Sequence, residues 1–481
     1  MRHTFILLVM LLVVSGCTPT TEEQQPQPID TSYFELQLQD AKNMFQTNAT
    51  LGITMLADTI PKEHISYEHE HGIITAITKE IEPVTTDVLN ELQLTSPYTL
   101  DDLHTLTWDA SDVVTTLRIT RNAPTLKQTV YDMPLDEKIG QLIITGFEGT
   151  TITEELRRAV EEQHISNIIL FSKNIVDHTQ LQQFATNFHA LEHTYPLWIS
   201  IDEEGGNVSR LPDELVSIPT ATTLANNHST AEIERIANHL GQALLAYGIQ
   251  VNFAPVMDVN SNPKNPVIGT RSFSDDASIV SQYALAFHHG LTEAHVLTAM
   301  KHFPGHGDTD IDSHHALPVL SHSKEQLYDV ELVPFIEAIQ EQAPMIMVGH
   351  LLIPALDDTL PASVSPAVIT ELLRQELGYT GLVVTDDITM DALDMPIADT
   401  AVQTLVAGSD LVLIGHGLAN ALTAQQAIIE AVEQGVLTEE RINTSVLRVL
   451  RQKQMLGEAS VKQFSIATWN DTMRQLLQSS Q

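Results

Sequence analysis

Cysteine is nearly absent from this chain: Cys17 is the single one in 481 residues. If it serves as an anchor, no disulfide can form in the mature fold, and packing alone must hold it together. Basic residues are also scarce, 24 Lys and Arg against 62 Asp and Glu, for a formal charge of −38. A surface of that sign argues against nucleic acid as a partner. Two motif types are missing as well. No G-x-G-x-x-G or phosphate-loop sequence follows any of the chain's short apolar runs, which weakens the case for a doubly wound nucleotide-binding sheet. No H-E-x-x-H helix is present, which weakens the case for a zinc hydrolase of that type.

What is present divides into five stretches. Arg2 and His3 precede an apolar run over residues 5–14, about the length of a signal-peptide core and too short to span a bilayer comfortably. The run ends in Val14-Ser15-Gly16-Cys17, which resembles a bacterial lipobox. Residues 1–16 are therefore expected to be a lipoprotein signal peptide and Cys17 the lipid attachment site, giving an extracytoplasmic protein anchored to the membrane. Residues 17–32, rich in Pro, Gln, Thr and Glu, read as a flexible tether. Residues 33–122 read as a small α+β module of unassigned function. Helices are expected over 34–45 and 84–94, and a strand over 113–119 (VVTTLRI). The main domain is expected over 123–460, with 461–481 left as a C-terminal tail.

Within the main domain, short apolar runs alternate with amphipathic stretches. The runs are 142–145, 167–171, 197–201, 250–253, 296–300, 345–348, 382–385 and 411–414. The amphipathic stretches include 231–247, 324–340 and 401–407. Eight buried strands alternating with helices predict a (β/α)₈ barrel of the TIM type. Asp202, Asp258, the Lys301-His302 pair, His350, the Asp386-Asp387 pair and His416 each follow a different run. In a parallel barrel such residues converge on the C-terminal face, where barrel enzymes carry out their chemistry.

The segment 301–314 (KHFPGHGDTDIDSH) is the densest of these sites. Its residues allow three kinds of chemistry. His302, His306, His314 and the adjacent His315, with nearby aspartates, are donors that suit zinc or iron, although Pro304 and two glycines place them on a loop. Lys301 at a strand end could form a Schiff base. Asp386 could serve as the carboxylate of a glycoside hydrolase, with His314 as proton donor and Asp312 orienting it.

Longer motifs are more specific. Residues 133–142 (MPLDEKIGQL), 199–210 (ISIDEEGGNVSR), 254–258 (APVMD), 269–273 (GTRSF), 301–314 and 385–390 (TDDITM) occur in one order along the chain. Together they resemble glycoside hydrolase family 3, in its β-N-acetylglucosaminidase branch, from about residue 126 to 457. Thr385 stands where many relatives carry Ser, and no second α/β domain is expected after the barrel. The resemblance implies that Asp386 is the nucleophile and His314 the general acid/base, backed by Asp312. Asp202, Arg210, Arg271, Lys301 and His302 would hold the sugar. It also implies retaining release of terminal β-linked N-acetylglucosamine, with peptidoglycan fragments as the expected source. No cofactor or metal is expected, and the chain is expected to be a monomer. Three alternatives stay open at this stage: substrate-assisted catalysis using the Asp386-Asp387 pair, phosphorolysis, and a sugar-binding lipoprotein without catalysis.

Overall fold

The structure, a computed structural model, describes residues 126–478 except 312–315, 458 and 460, together with eight backbone strands before residue 126. The signal peptide, Cys17 and the tether lie outside the described residues. The chain divides into two compact units, residues 1–129 and 130–481.

The second unit is the expected barrel. Its strands are β1 (Ile143–Thr145), β2 (Asn167–Leu170), β3 (Trp198–Ile201), β4 (Val251–Asn252), β5 (Leu297–Phe303), β6 (Met345–Val348), β7 (Leu382–Thr385) and β8 (Val412–Ile414). Neighbours pair in parallel from β1 through β7, β8 pairs with β1, and a parallel bridge from Val384 to Leu411 closes the ring. Every residue of these eight strands is buried, which explains why they read as mostly apolar runs without a two-residue alternation.

The helices start where the sequence supplies caps. Thr153, Asp177, Thr220, Asp276, Ser323 and Thr438 each accept a backbone N–H of the first helical turn. The stretch 324–340 is split into two helices, Lys324–Asp329 and Val333–Gln340. Pro334 explains the second start, because proline fits the first turn of a helix but cannot sit inside one. Residues 461–481 carry more than a tail. A helix, Ile466–Gln478, packs Trp469 and Met473 against the barrel's outer layer. There the Trp469 ring stacks on His239, with centroids 5.0 Å apart, and its Nε1 donates to the His239 carbonyl at 3.0 Å.

The expected course of β5 needs correction. The strand continues through Phe303, so Lys301 and His302 lie within it instead of following it. Before residue 126, the described elements are all strands. A four-stranded antiparallel sheet contains Ser66–Glu70, Ile73–Thr78, Val114–Thr120 and Thr105–Ser111 in that spatial order. The strand expected over 113–119 corresponds to Val114–Thr120. The helices expected over 34–45 and 84–94 conflict with strand residues Gln37–Leu38 and Leu92–Gln93, which pair with each other, and the other residues of those two stretches lie outside the description. Short apolar runs carry no reliable period, and pairing with a partner strand overrides a weak helical spacing.

At the N-terminal end of the barrel, Asp410 ties β8 to two helices. Its fully buried carboxylate meets Arg374 at 2.5 Å, Arg448 at 2.9 Å and the Ser445 hydroxyl at 2.6 Å, and it accepts the Val383 N–H at 3.1 Å. Removing the anion would strand partly buried guanidinium groups. Asp410→Ala is expected to destabilise the barrel by on the order of 3 kcal/mol, read from the urea denaturation midpoint.

Candidate active site

The polar ends of β3, β4 and β5 form one ionic chain. Lys301, 3% exposed, places Nζ 2.7 Å from Asp202 Oδ1 and 2.6 Å from Glu204 Oε1. Glu204 in turn accepts both Arg271 Nε at 2.9 Å and Nη2 at 2.8 Å, a bidentate pairing. Arg271 Nη2 lies 3.5 Å from His302 Nε2. The other ring nitrogen of His302, Nδ1, is 2.7 Å from Asp258 Oδ2. Since a carboxylate only accepts, Nδ1 carries the proton and Nε2 is turned toward the site.

Local folding explains how the acids reach these positions. Asn252, on β4, accepts the Glu203 N–H and donates to its carbonyl, both at 2.9 Å, which fixes the chain between Asp202 and Glu204. Glu203 points the other way and accepts the backbone N–H groups of Arg210 and Leu211. Gly205 and Gly206, both with positive φ, turn the chain at a place where a side chain would strike the backbone of Pro219 or Thr220. Asp258 is fully buried and accepts the backbone N–H groups of His302 and His306 as well as the His302 ring. It holds the end of β5 against β4.

Asp386 follows β7. Its N–H donates to Val348 O at 2.9 Å, and its Oδ1 accepts the Asp387 N–H at 2.8 Å. Burial on its own would raise the Asp386 pKa, but His302, His350, the Asp387 amide and Lys301 outweigh it and bring it to about 2. Asp386 is therefore an anion at any physiological pH. In the same way Arg271 and Lys301 overcome burial and hold Glu204 well below the usual carboxylate range. Lys301 is pushed up by Asp202 and Glu204 against the effect of burial, so it stays an ammonium ion, unsuited to Schiff-base chemistry.

Asp387 has a different job from Asp386. Its Oδ1 accepts Thr389 N and Oγ1 and the Gly415 N–H, and its Oδ2 meets His416 Nδ1 at 2.9 Å. A carboxylate so fully engaged links the loops after β7 and β8, and has little left to orient an acetamido group. His350 is likewise committed, to Ser363 Oγ at 2.7 Å and the Asp387 carbonyl at 2.9 Å.

Of the residues expected from sequence, Asp202, Arg271, Lys301 and His302 come together in one network beside Asp386. Arg210 does not join that network through any hydrogen bond among the described residues; its Nη1 reaches Ser209 O at 3.4 Å. Asp312 and His314 lie outside the described residues, although the loop is described on both sides of them. On the near side, Asn265 Nδ2 donates to the carbonyls of His306 and Gly307 at 2.8 and 3.0 Å. On the far side, His322 bridges Asp308 at 2.7 Å and the buried Glu331 at 3.1 Å. Glu204 is the residue that the sequence reading passed over. The signal was available, because it stands within the 199–210 motif, but only the fold shows that it joins Lys301 to Arg271.

Among the described residues, no group of three His, Cys, Asp or Glu side chains is arranged to hold a metal ion. Of the histidines within 302–315, the described His302 and His306 are engaged otherwise. His306, 1% exposed, has Nδ1 2.7 Å from Thr309 Oγ1. Burial and the neighbouring His302 bring its pKa down to about 4, against about 6.5 for a free imidazole. A folded-state value below the unfolded one means that the unfolded chain binds more protons between the two. Stability contributed by neutral His306 is thus present above about pH 6.5 and is lost as pH falls toward 4, by up to about 3 kcal/mol. The slope of stability against pH in that window is expected to flatten in His306→Asn, as measured by denaturant unfolding at pH 7, 5.5 and 4.

Comparisons with known proteins agree with this geometry. Residues 134–452 match the family described as "Glycosyl hydrolase family 3 N terminal domain". Beta-hexosaminidase LpqI of Mycobacterium tuberculosis is 34% identical over 333 residues, covering 66% of this chain and 82% of that protein. Beta-hexosaminidase A of Pseudoalteromonas piscicida is 34% identical over 358 residues, 67% of this chain; the match spans only 58% of that longer protein. A solved glycoside hydrolase family 3 β-N-acetylglucosaminidase from Paenibacillus superposes with a TM-score of 0.68 at 37% identity, over 72% of this chain and 69% of that one. The barrel, the ionic chain across β3 to β5 and a match spanning most of the chain lead to one conclusion: the protein belongs to glycosyl hydrolase family 3.

Proposed function

We propose that this protein is a β-hexosaminidase that releases terminal, non-reducing β-linked N-acetylglucosamine with retention of configuration. The observation that carries the reading is Asp386, a carboxylate held ionised at the end of β7 beside Lys301 and His302. The relatives named as β-hexosaminidases and β-N-acetylglucosaminidases support the sugar.

In the first step, an Asp386 oxygen forms a bond to the anomeric carbon as the glycosidic C–O bond breaks. The electron pair leaves with the aglycone oxygen, which takes a proton from His314. In the second step, water gives its proton to His314 and attacks the same carbon, and the bond to Asp386 breaks to return the carboxylate. The depressed pKa of Asp386 suits this second step, because a weakly basic carboxylate is a good leaving group. Asp312 would orient His314 as in other Asp–His pairs. Asp202, Lys301, Arg271 and His302 would hold the hydroxyl and acetamido groups of the sugar, with Arg210 approaching from the loop after β3.

Aryl β-N-acetylglucosaminide hydrolysis is expected in the intact protein and is expected to vanish in Asp386→Ala and in His314→Ala, with both variants folded by circular dichroism. Activity persisting in both would sink the assignment. A slow 5-fluoro substrate is expected to leave its sugar on Asp386, detected by peptide mass spectrometry; substrate-assisted catalysis would leave no label. Accumulation of sugar 1-phosphate in phosphate buffer would replace hydrolysis by phosphorolysis.

The expected lipid anchor on Cys17 would place this activity outside the cytoplasm, where peptidoglycan fragments are the natural source of terminal N-acetylglucosamine. The protein is expected to act there as a monomer. Radiolabelled fatty acid is expected to enter the expressed full chain and to be missing from Cys17→Ser. Equal labelling of both would remove the anchor.

A further inference from the structure

Two rings at the mouth of the barrel have no part in the chemistry described above. Phe171 follows β2 and His416 follows β8, and their rings stack with centroids 5.3 Å apart and planes 25° from parallel. The His416 ring is fixed on a second side by Asp387 Oδ2, 2.9 Å from Nδ1, with Thr389 Oγ1 at 3.2 Å from the same nitrogen. Gly415 makes the arrangement possible. A Cβ there would strike the Asp387 carboxylate and lie 3.0 Å from Phe171 Cζ. The Lys173 ammonium, paired with Glu148 at 2.5 Å, lies 5.8 Å from the Phe171 ring centre.

In spite of these restraints, the His416 side chain is 62% exposed. Holding an exposed side chain in one orientation costs rotamer freedom, and in this case no core packing is gained in return. The restraint also sets the tautomer. Nδ1 donates to Asp387, so in the neutral ring Nε2 is left as a hydrogen-bond acceptor. An exposed, pre-oriented ring that offers one acceptor suits a hydroxylated ligand, such as a pyranose with its apolar face and its outward hydroxyl groups.

Position identifies which sugar this is. The groups that would hold the terminal sugar are buried, Lys301 at 3%, Glu204 at 5% and Asp202 at 19% exposed. His416 stands outside them on the rim, hydrogen-bonded to Asp387, the residue next to the proposed nucleophile. An enzyme that removes a terminal sugar must encloses that sugar and let the leaving group project toward solvent.

We infer that His416, backed by Phe171, is the leaving-group subsite: a pyranose on the far side of the scissile bond lies against the imidazole, and one of its hydroxyls donates to Nε2. This assignment rests on the proposed β-hexosaminidase activity. It makes His416 a specificity residue, sensing what is released and leaving the identity of the attacked sugar to the buried network.

The test compares two substrates that share the attacked sugar. β-N-acetylglucosaminyl fluoride has a leaving group too small to reach the rim, whereas N,N′-diacetylchitobiose places a full pyranose there. The ratio of kcat/KM for the disaccharide to that for the fluoride is expected to fall about tenfold in His416→Ala. A smaller fall is expected in Phe171→Leu, and partial recovery in His416→Gln, whose amide oxygen can accept the same hydroxyl. An unchanged ratio would overturn the subsite, whether both activities fell together, as they would if His416 only supported Asp387, or neither changed. Intact protein that turns over neither compound would overturn the activity itself, and this assignment with it. Fluoride turnover with an unaltered ratio would overturn the subsite alone.

Discussion

The site is organised by the need to neutralise charge that has been taken out of water. Lys301 and Arg271 bring two cations to the C-terminal end of the barrel, the first almost fully enclosed and the second partly buried. Ions of this kind are tolerable only if oppositely charged partners sit at hydrogen-bond distance. Glu204 meets both cations, Asp202 takes a further proton of Lys301, and Asp258 plays the same part for His302. Each of these groups therefore fixes the orientation of the next. The ends of three successive strands are held in one geometry before any substrate arrives, which is the preorganisation that electrostatic catalysis requires.

That network also sets the condition of Asp386. Burial by itself would raise the pKa of this half-buried carboxylate. The cationic side of the barrel keeps it ionised. Its neighbour Asp387 shows the contrast. One position later, the same side-chain type is absorbed by the backbone and side chains of the β7 and β8 loops. Two adjacent aspartates thus differ in their engagement, Asp387 being held on both carboxylate oxygens and Asp386 by the Asp387 amide, because successive residues leaving a strand face different neighbours.

The loop after β5 depends on similar anchoring. Asn265 holds its first turn through carbonyl groups, and the Asp308–His322–Glu331 chain fastens it from the other side. Burial raises the Glu331 pKa, while Glu331 and Asp308 together raise that of His322 against the effect of its own burial. On the opposite side of the mouth, Phe171 and His416 form a rim built on a glycine that leaves room for both. The C-terminal face thereby combines a buried ionic network, an ionised carboxylate and an exposed edge, each carried by different strands.

Much of the architecture was legible in the sequence. Strands buried on both faces are largely apolar, so the eight barrel strands stand out as short, mostly apolar runs, and the polar residues at or just past their ends mark the C-terminal face. The family motifs likewise locate Asp202, Arg271, Lys301, His302 and Asp386, because close contact with charged partners leaves little choice of residue type. What the sequence could not decide was partnership. Glu204 and Glu203 are neighbours of the same chemistry, yet one bridges two cations and the other caps a backbone turn, since alternate side chains of an extended segment point in opposite directions. The Asp387–His416 and His322–Glu331 pairs join residues from separate loops, and no local spacing announces them. In the first unit, strand pairing prevailed where a weak helical spacing had suggested otherwise. Local pattern determines which elements form and where polar groups emerge; only the closed barrel decides which of those groups meet, because their electrostatic interactions act across space between residues far apart in the chain.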